Sequence, residues 1–139
     1  MLNQLIYSSR TTRPLMSADL SAIIATAQRK NLPRGVTGAL CYSRGTFLQC
    51  IEGEPSIIDD LYQILFKDER HSELKILDSG EIPERRFPNW TMGFFNYEND
   101  IGQIFLKHTR MAEFAPFSMH ASDGNAFFDE VVKYVTFPK

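Results

Sequence analysis

Tyr7, Asn31 and Gln49 are the side chains whose types and surroundings suggest chemistry. Gln49 stands between Phe47 and Ile51 in the apolar run 46–52, and strand alternation puts those three side chains on one face. A buried glutamine amide must satisfy two donors and an acceptor, and each group left unpaired costs about 1–3 kcal/mol. Tyr7 alternates with Leu5 in the run 2–8 and adds a phenol on the same face of the sheet. Asn31 closes a helical stretch and adds a second amide. A phenol and two amides converging on an apolar cleft between helices suit a planar heteroaromatic ligand with carbonyl and ring-nitrogen edges. The same residues also read as a core tyrosine, a helix C-cap asparagine and an edge glutamine, and spacing alone leaves both readings open.

Other candidates carry less. Cys41 and Cys50 lie on strands joined by Ser43-Arg44-Gly45. A three-residue loop there sets Cys41 opposite Phe47 and Gly38 opposite Cys50. The thiols then point to opposite faces, roughly 10 Å apart, beyond disulfide reach. They read as reduced, buried thiols, and no CxxC or histidine pair signals zinc. Glu52 ends a strand and Asp68 ends a helix, which gives both solvent-exposed roles and no hydrolytic pairing. His71 alone reads as packing rather than acid–base catalysis, and Lys30 as a solvated cation at a helix end.

The elements that must position these groups follow from periodicity. Residues 2–8 alternate as a strand, and 10–16 form a polar loop. Ser17 is a helix N-cap, followed by Leu20, Ile23, Ile24 and Ala27 at helical spacing; Pro33 ends that helix near Asn31. Residues 38–42 and 46–52 form a hairpin. Pro55 opens a second helix with the stripe Ile57, Ile58, Leu61, Ile64 and Leu65, ending near Asp68. Residues 74–77 and 90–95 are further strands. The order β-α-β-β-α-β-β, with both helices on one face, predicts an α+β, ferredoxin-like layer over residues 1–97. Residues 98–139 form a helical extension, with weak patterning over 100–111 and a stronger stripe of Phe127, Phe128, Val131, Val132 and Val135. Pro116 and the cluster Ser122-Asp123-Gly124-Asn125 separate the two stretches. The extension is expected on the other face of the sheet.

Composition bounds the function class. The chain has 139 residues, one domain's worth, with 15 Lys+Arg against 17 Asp+Glu and a net charge of -2. Such a balance argues against a nucleic-acid binder. There is no apolar run of membrane-spanning length and no signal-peptide pattern at the N-terminus, so the expected location is cytoplasmic. The 11 Phe, 5 Tyr and 1 Trp divide between core, interface and ligand site in proportions that composition does not give.

Taken together, several short runs resemble the BLUF (blue light using flavin) family. They are Ile6-Tyr7-Ser8-Ser9, Asn31, Gly35-Val36-Thr37-Gly38-Ala39-Leu40, Phe47-Leu48-Gln49-Cys50-Ile51-Glu52-Gly53, Asp68-Glu69-Arg70-His71, Arg86-Phe87 and Trp90-Thr91-Met92-Gly93-Phe94. Each run is weak alone, and together they follow the family's order and spacing.

The resemblance implies a blue-light photoreceptor that binds FAD, or FMN or riboflavin, noncovalently between the two helices. It makes Tyr7 the photochemical electron and proton donor and Gln49 the bridge from Tyr7 to the flavin. Asn31 binds the pyrimidine ring, Arg70 and His71 lie near the outer ring and phosphate side, and Ile23 or Ile24 walls the pocket. Trp90 and Met92 belong to the strand that carries signal; Trp90 lies against the flavin or swings out, and Met92 then fills its place. There is no room in 139 residues for an output enzyme, so the implied output is interaction with an unidentified downstream protein, with homo-oligomerisation also expected. A ferredoxin-like interaction module without flavin, and a flavin enzyme working in darkness, are the competing classes.

Overall fold

A computed structural model describes residues 1–12, 15–67, 71–96, 101–110 and 115–136. Five strands form one sheet: β1 (Leu2–Thr11), β2 (Thr37–Ser43), β3 (Thr46–Gly53), β4 (His71–Ile82) and β5 (Gly93–Asn96). The helices are α1 (Ser17–Arg34), α2 (Pro55–Lys67), α3 (Gly102–Thr109) and α4 (Ala121–Thr136), with a short 3-10 turn at Pro116–Ser118. The sheet order is β4-β1-β3-β2-β5; only β2 and β5 run parallel. This is the expected ferredoxin-like α+β layer.

Strand alternation sorts the core into two clusters, one on each face. Leu5, Tyr7, Leu40, Phe47, Ile51 and Met92 pack under α1 and α2, against Leu20, Ile23, Ile24, Ile57, Leu61 and Leu65. Ile6, Cys41, Leu48, Cys50 and Phe95 pack under α3 and α4, against Ile104, Phe105, Phe127, Phe128 and Val131. The extension therefore covers the face opposite the first two helices, as its stripes require. Both faces of the sheet are thus covered by helices. Ile64 of the second stripe is 55% exposed, and Leu106 of α3 is 41% exposed. Val135 lies where side chains are not described.

Several boundaries differ from the sequence expectations. The α1 helix continues through Pro33, because Gly35 (φ 67°) closes it: the Gly35 N–H donates to Leu32 O at 3.3 Å and the Val36 N–H to Asn31 O at 3.1 Å. Its N-cap is Met16, not Ser17, with Asp19 accepting from the Met16 N–H at 3.0 Å. The cluster Ser122-Asp123-Gly124-Asn125 starts α4 rather than preceding it, and Asp123 accepts from the His120 N–H at 3.0 Å as an N-terminal cap.

The hairpin loop has two residues, not three. Arg44 (φ 50°) and Gly45 (φ 82°) both take left-handed backbone, the signature of a type I′ turn. The register follows: Ser43 pairs with Thr46, Tyr42 with Phe47 and Cys41 with Leu48. Cys41 and Cys50 consequently share the α3–α4 face instead of opposing each other; both are buried and free. A bulge in β4 sets Ile76 opposite Tyr7 and Asp78 opposite Ile6. Leu77 thereby joins the α4-side core while its neighbour Asp78 also reaches that side, accepting from Gln4 and Asn125.

Candidate functional site

Tyr7 and Gln49 are directly paired residues of β1 and β3, and both lie on the face under α1 and α2. The Tyr7 hydroxyl donates to Gln49 Oε1. The Gln49 amide then donates from Nε2 to Met92 Sδ at 3.3 Å. Tyr7 is only 3% exposed and sits among Leu5, Leu40 and Ile51, so this polar chain is embedded in an apolar floor. Gln49 is half-buried and is not an edge residue, since β3 lies at the centre of the sheet.

Asn31 is brought to the same segment as Met92. Its position in the last turn of α1 is buried, and its Nδ2 donates to Thr91 O at 2.6 Å. One turn earlier, Gln28 Nε2 donates to Met92 O at 3.0 Å. Two α1 amides thus fasten the stretch that enters β5. Sequence reading missed Gln28, although its spacing of three from Asn31 was a usable signal.

Ile23 and Ile24 are half-buried and pack on the Tyr7 cluster. Ile24 also lines a cleft of about 400 Å³ between α1 and the β2–β5 edge, with Leu15, Leu20, Tyr42 and Phe94. That cleft lacks Tyr7, Asn31 and Gln49, so it lies beside the polar chain and not on it. His71 opens β4 opposite Thr11; its side chain is not described, and Arg70 lies outside the described residues.

Trp90 and Met92 are separated. Met92 is buried beside Gln49, whereas Trp90 packs on the opposite cluster, stacked on Phe95 at 5.5 Å and 21° and near Phe87 at 6.3 Å. A strand over 90–95 would have placed them on one face. The strand begins only at Gly93, and the bends before it let the indole fold back over the glycine. This is the arrangement with the indole out and methionine in the site.

The segment before Trp90 is anchored by Glu52. Far from being solvent-exposed, Glu52 is completely buried. Its carboxylate accepts from the Phe87 N–H at 2.6 Å, the Arg86 N–H at 2.9 Å and Thr37 Oγ1 at 3.2 Å. On the α4 side, the Arg86 guanidinium donates to Gln4 Oε1 at 2.6 Å, Asp129 Oδ1 at 2.7 Å and Asn125 Oδ1 at 2.8 Å. Cys50 lies at the inner edge of this network, 3.7 Å from Arg86 Nη1. Burial pushes its thiol up to about 12 despite the nearby guanidinium, which keeps it protonated and inert. Among the described residues, no cluster of three His, Cys, Asp or Glu side chains is placed to hold a metal. Nor is any described helix long and apolar enough to cross a membrane.

Comparison with known proteins matches this architecture and these motifs. The family described as "BLUF: Sensors of blue-light using FAD" matches residues 2–93. Photoactivated adenylate cyclase subunit beta of Euglena longa is 39% identical over 92 residues, which are 66% of this chain and 11% of that protein. The blue light- and temperature-regulated antirepressor BluF of Escherichia coli (strain K12) is 29% identical over 96 residues, 69% of this chain and 24% of that one. This chain thus spans a small part of those curated relatives. It aligns end to end with two solved structures. BlsA in its photo-activated state gives a TM-score of 0.85 at 28% identity over 95% of each chain. BlrB, a BLUF protein in its dark state, gives 0.79 at 28% identity over 96% of this chain and 97% of that one. With a family match across two thirds of its length and the Tyr7–Gln49 pair at the centre of the matched sheet, the chain belongs to the BLUF family of blue-light sensors.

Proposed function

We propose that this chain is a photoreceptor that holds a flavin noncovalently on the α1–α2 face through residues 1–97 and reports illumination to a separate protein through residues 98–139. The observation that carries this reading is the hydrogen-bonded chain from buried Tyr7 through half-buried Gln49 to buried Met92. The residues present fit the cofactor. Leu5, Leu40 and Ile51 supply an apolar floor, and Tyr7, Asn31 and Gln49 supply polar edge groups. The Ser9 hydroxyl, fully buried two residues along β1 from Tyr7, has no hydrogen-bond partner among the described residues, which leaves polar capacity for a ligand. Ile23 and Ile24 wall the pocket, and Arg70 and His71 serve its outer, phosphate side. The family's own cofactor favours FAD over FMN or riboflavin.

When bound, the flavin supplies blue-light absorption and an excited state that is a strong oxidant. Tyr7 acts as the donor of an electron and a proton, and its hydroxyl already faces an acceptor, Gln49 Oε1. Gln49 carries acceptor and donors on one amide, so it can take a proton on one atom and release one from the other. Return of both the electron and a proton to Tyr7, the proton by way of the Gln49 amide, would close the cycle with no net redox change. The Gln49 amide is left rotated or tautomerised, and its hydrogen bond to Met92 Sδ is altered. The two states then differ by hydrogen bonds alone, which makes the change reversible in the dark across a gap of a few kcal/mol.

The signal leaves through the segment carrying Met92, whose other end packs Phe87 edge-on against Phe128 of α4 at 6.1 Å. The output is altered binding to a partner protein rather than catalysis by this chain; like copies are one such partner, read by sizing in darkness and light. Purified protein is expected to be yellow, with a flavin band that moves to the red under blue light and returns in darkness. Gln49→Leu should keep the flavin and lose the normal shift. A colourless protein that takes up no added FAD overturns the reading, and a normal shift in Gln49→Leu overturns the relay.

A further inference from the structure

Glu52 is a fully buried carboxylate that neither the photochemistry nor the tail contacts explain. Burying a carboxylate is costly unless several donors meet it, so the structure has committed donors to this point. They come from two places, with Arg85 behind them. Thr37 starts β2; Arg86 and Phe87 supply main-chain N–H groups from the β4–β5 connection. Arg85 closes the ring, its Nη1 donating to Thr37 Oγ1 at 2.8 Å and to the Glu52 main-chain oxygen at 3.2 Å.

The connection is thus held at two ends by different chemistry. At residues 86–87 it hangs on Glu52. At residues 90–92 its carbonyl oxygens accept from the Gly38 N–H at 2.9 Å, from Asn31 at 2.6 Å and from Gln28 at 3.0 Å. The second end includes Asn31, one of the groups assigned to the cofactor, and Met92, which accepts from Gln49 Nε2, so it is the end a rearranged Gln49 can disturb. The first end touches none of them. Building on the photoreceptor reading above, we infer that Glu52 is a positioning residue for the photocycle. It fixes residues 86–87 against β2 and β3, so that Met92 keeps its register on Gln49 and a disturbance at residues 90–92 works against a fixed point.

A segment anchored at one end only crosses between its two arrangements more easily. Glu52→Gln keeps the shape but sets an N–H against one of the N–H groups the carboxylate now accepts. The test is the dark-recovery rate after a blue pulse, with flavin content and the size of the red shift measured on the same samples. Glu52→Gln is expected to recover at least fivefold faster than the unmodified protein, with flavin content and shift retained. Val131→Ala, a core truncation under α4, should lower stability and recover at the unmodified rate. Recovery of Glu52→Gln at the unmodified rate overturns the inference, as does an equal acceleration in Val131→Ala. Should Glu52→Gln fail to fold, Thr37→Val removes one donor and leaves both main-chain bonds. It should accelerate recovery about twofold, and an unchanged rate overturns the inference. Absence of any red shift in the unmodified protein overturns the photoreceptor reading and this inference with it. That result is read before any variant is made, so the two failures are distinct.

Discussion

Gly93→Ala probes the arrangement of the indole directly. A Cβ built on Gly93 would lie 1.8 Å from Trp90 Cε3 and 2.3 Å from Cζ3, inside the ring's own volume. The Gly93 backbone is ordinary strand, so alanine by itself would gain about 0.5–1 kcal/mol over glycine. Against that gain stands overpacking of about 1–3 kcal/mol. Loss of the stack on Phe95 adds about 0.5–1.5 kcal/mol. The balance is a destabilisation near 2 kcal/mol, or a fall in Tm of about 6–8 °C. The indole has to leave its place over residue 93. Trp90 is the chain's single tryptophan, so intrinsic fluorescence reads this residue and no other. A red-shifted emission maximum together with the lower Tm is expected. Unchanged emission and unchanged Tm would refute the stacked position of Trp90.

Three further outcomes follow from the packing. Arg86→Ala removes the donor from buried Gln4 Oε1 and one of the two donors from Asn125 Oδ1 and should cost about 1–3 kcal/mol in urea unfolding; Arg86→Lys, lacking the fork, should recover less than half of it. Phe127→Ala empties a fully buried site between Phe105 and Phe128 and should cost about 3–5 kcal/mol by the same measurement. The third concerns alkaline pH. The Cys50 thiol ionises at 9.0 when exposed and is raised to about 12 when folded. Above pH 9 the unfolded chain therefore loses a proton that the folded chain keeps, and stability falls as pH rises, by up to about 1.4 kcal/mol per pH unit from this one group. A plot of unfolding free energy against pH should be flatter above pH 9 in Cys50→Ala; identical slopes would contradict the assignment.

The parts of this molecule that were legible in the sequence are those with a period. Phe47, Gln49 and Ile51 alternate with Leu48 and Cys50, and the sheet uses both faces accordingly. The helical stripes of α1 and α4 also found their predicted faces. What escaped was set by single residues acting without a period. Arg44 adopts left-handed backbone beside Gly45, which shortens the hairpin loop by one residue and brings the two cysteines to one face. Pro33 lies in a last turn that Gly35 can still close. Glu52 looked like a strand-end acid because its partners, Thr37 and the N–H groups of Arg86 and Phe87, come from elsewhere in the chain and leave no local trace. Trp90 and Met92 share a strand parity that the bends before Gly93 cancel.

The sheet order has a consequence for how the chain can be rebuilt. The β4 and β5 strands are neighbours in sequence but occupy opposite edges, so the chain between them crosses the end of the whole sheet. Four interstrand steps are about 19 Å, and the ten residues from Pro83 to Met92 reach about 33 Å when extended. The surplus of about 14 Å, roughly four residues, lets the chain detour to its anchor on Glu52. Pro83 and Glu84, exposed before the Glu52 anchor, are where a cleavage site or inserted tag should be tolerated. Beyond that anchor the same insertion would set β5 adrift from an otherwise complete four-stranded sheet.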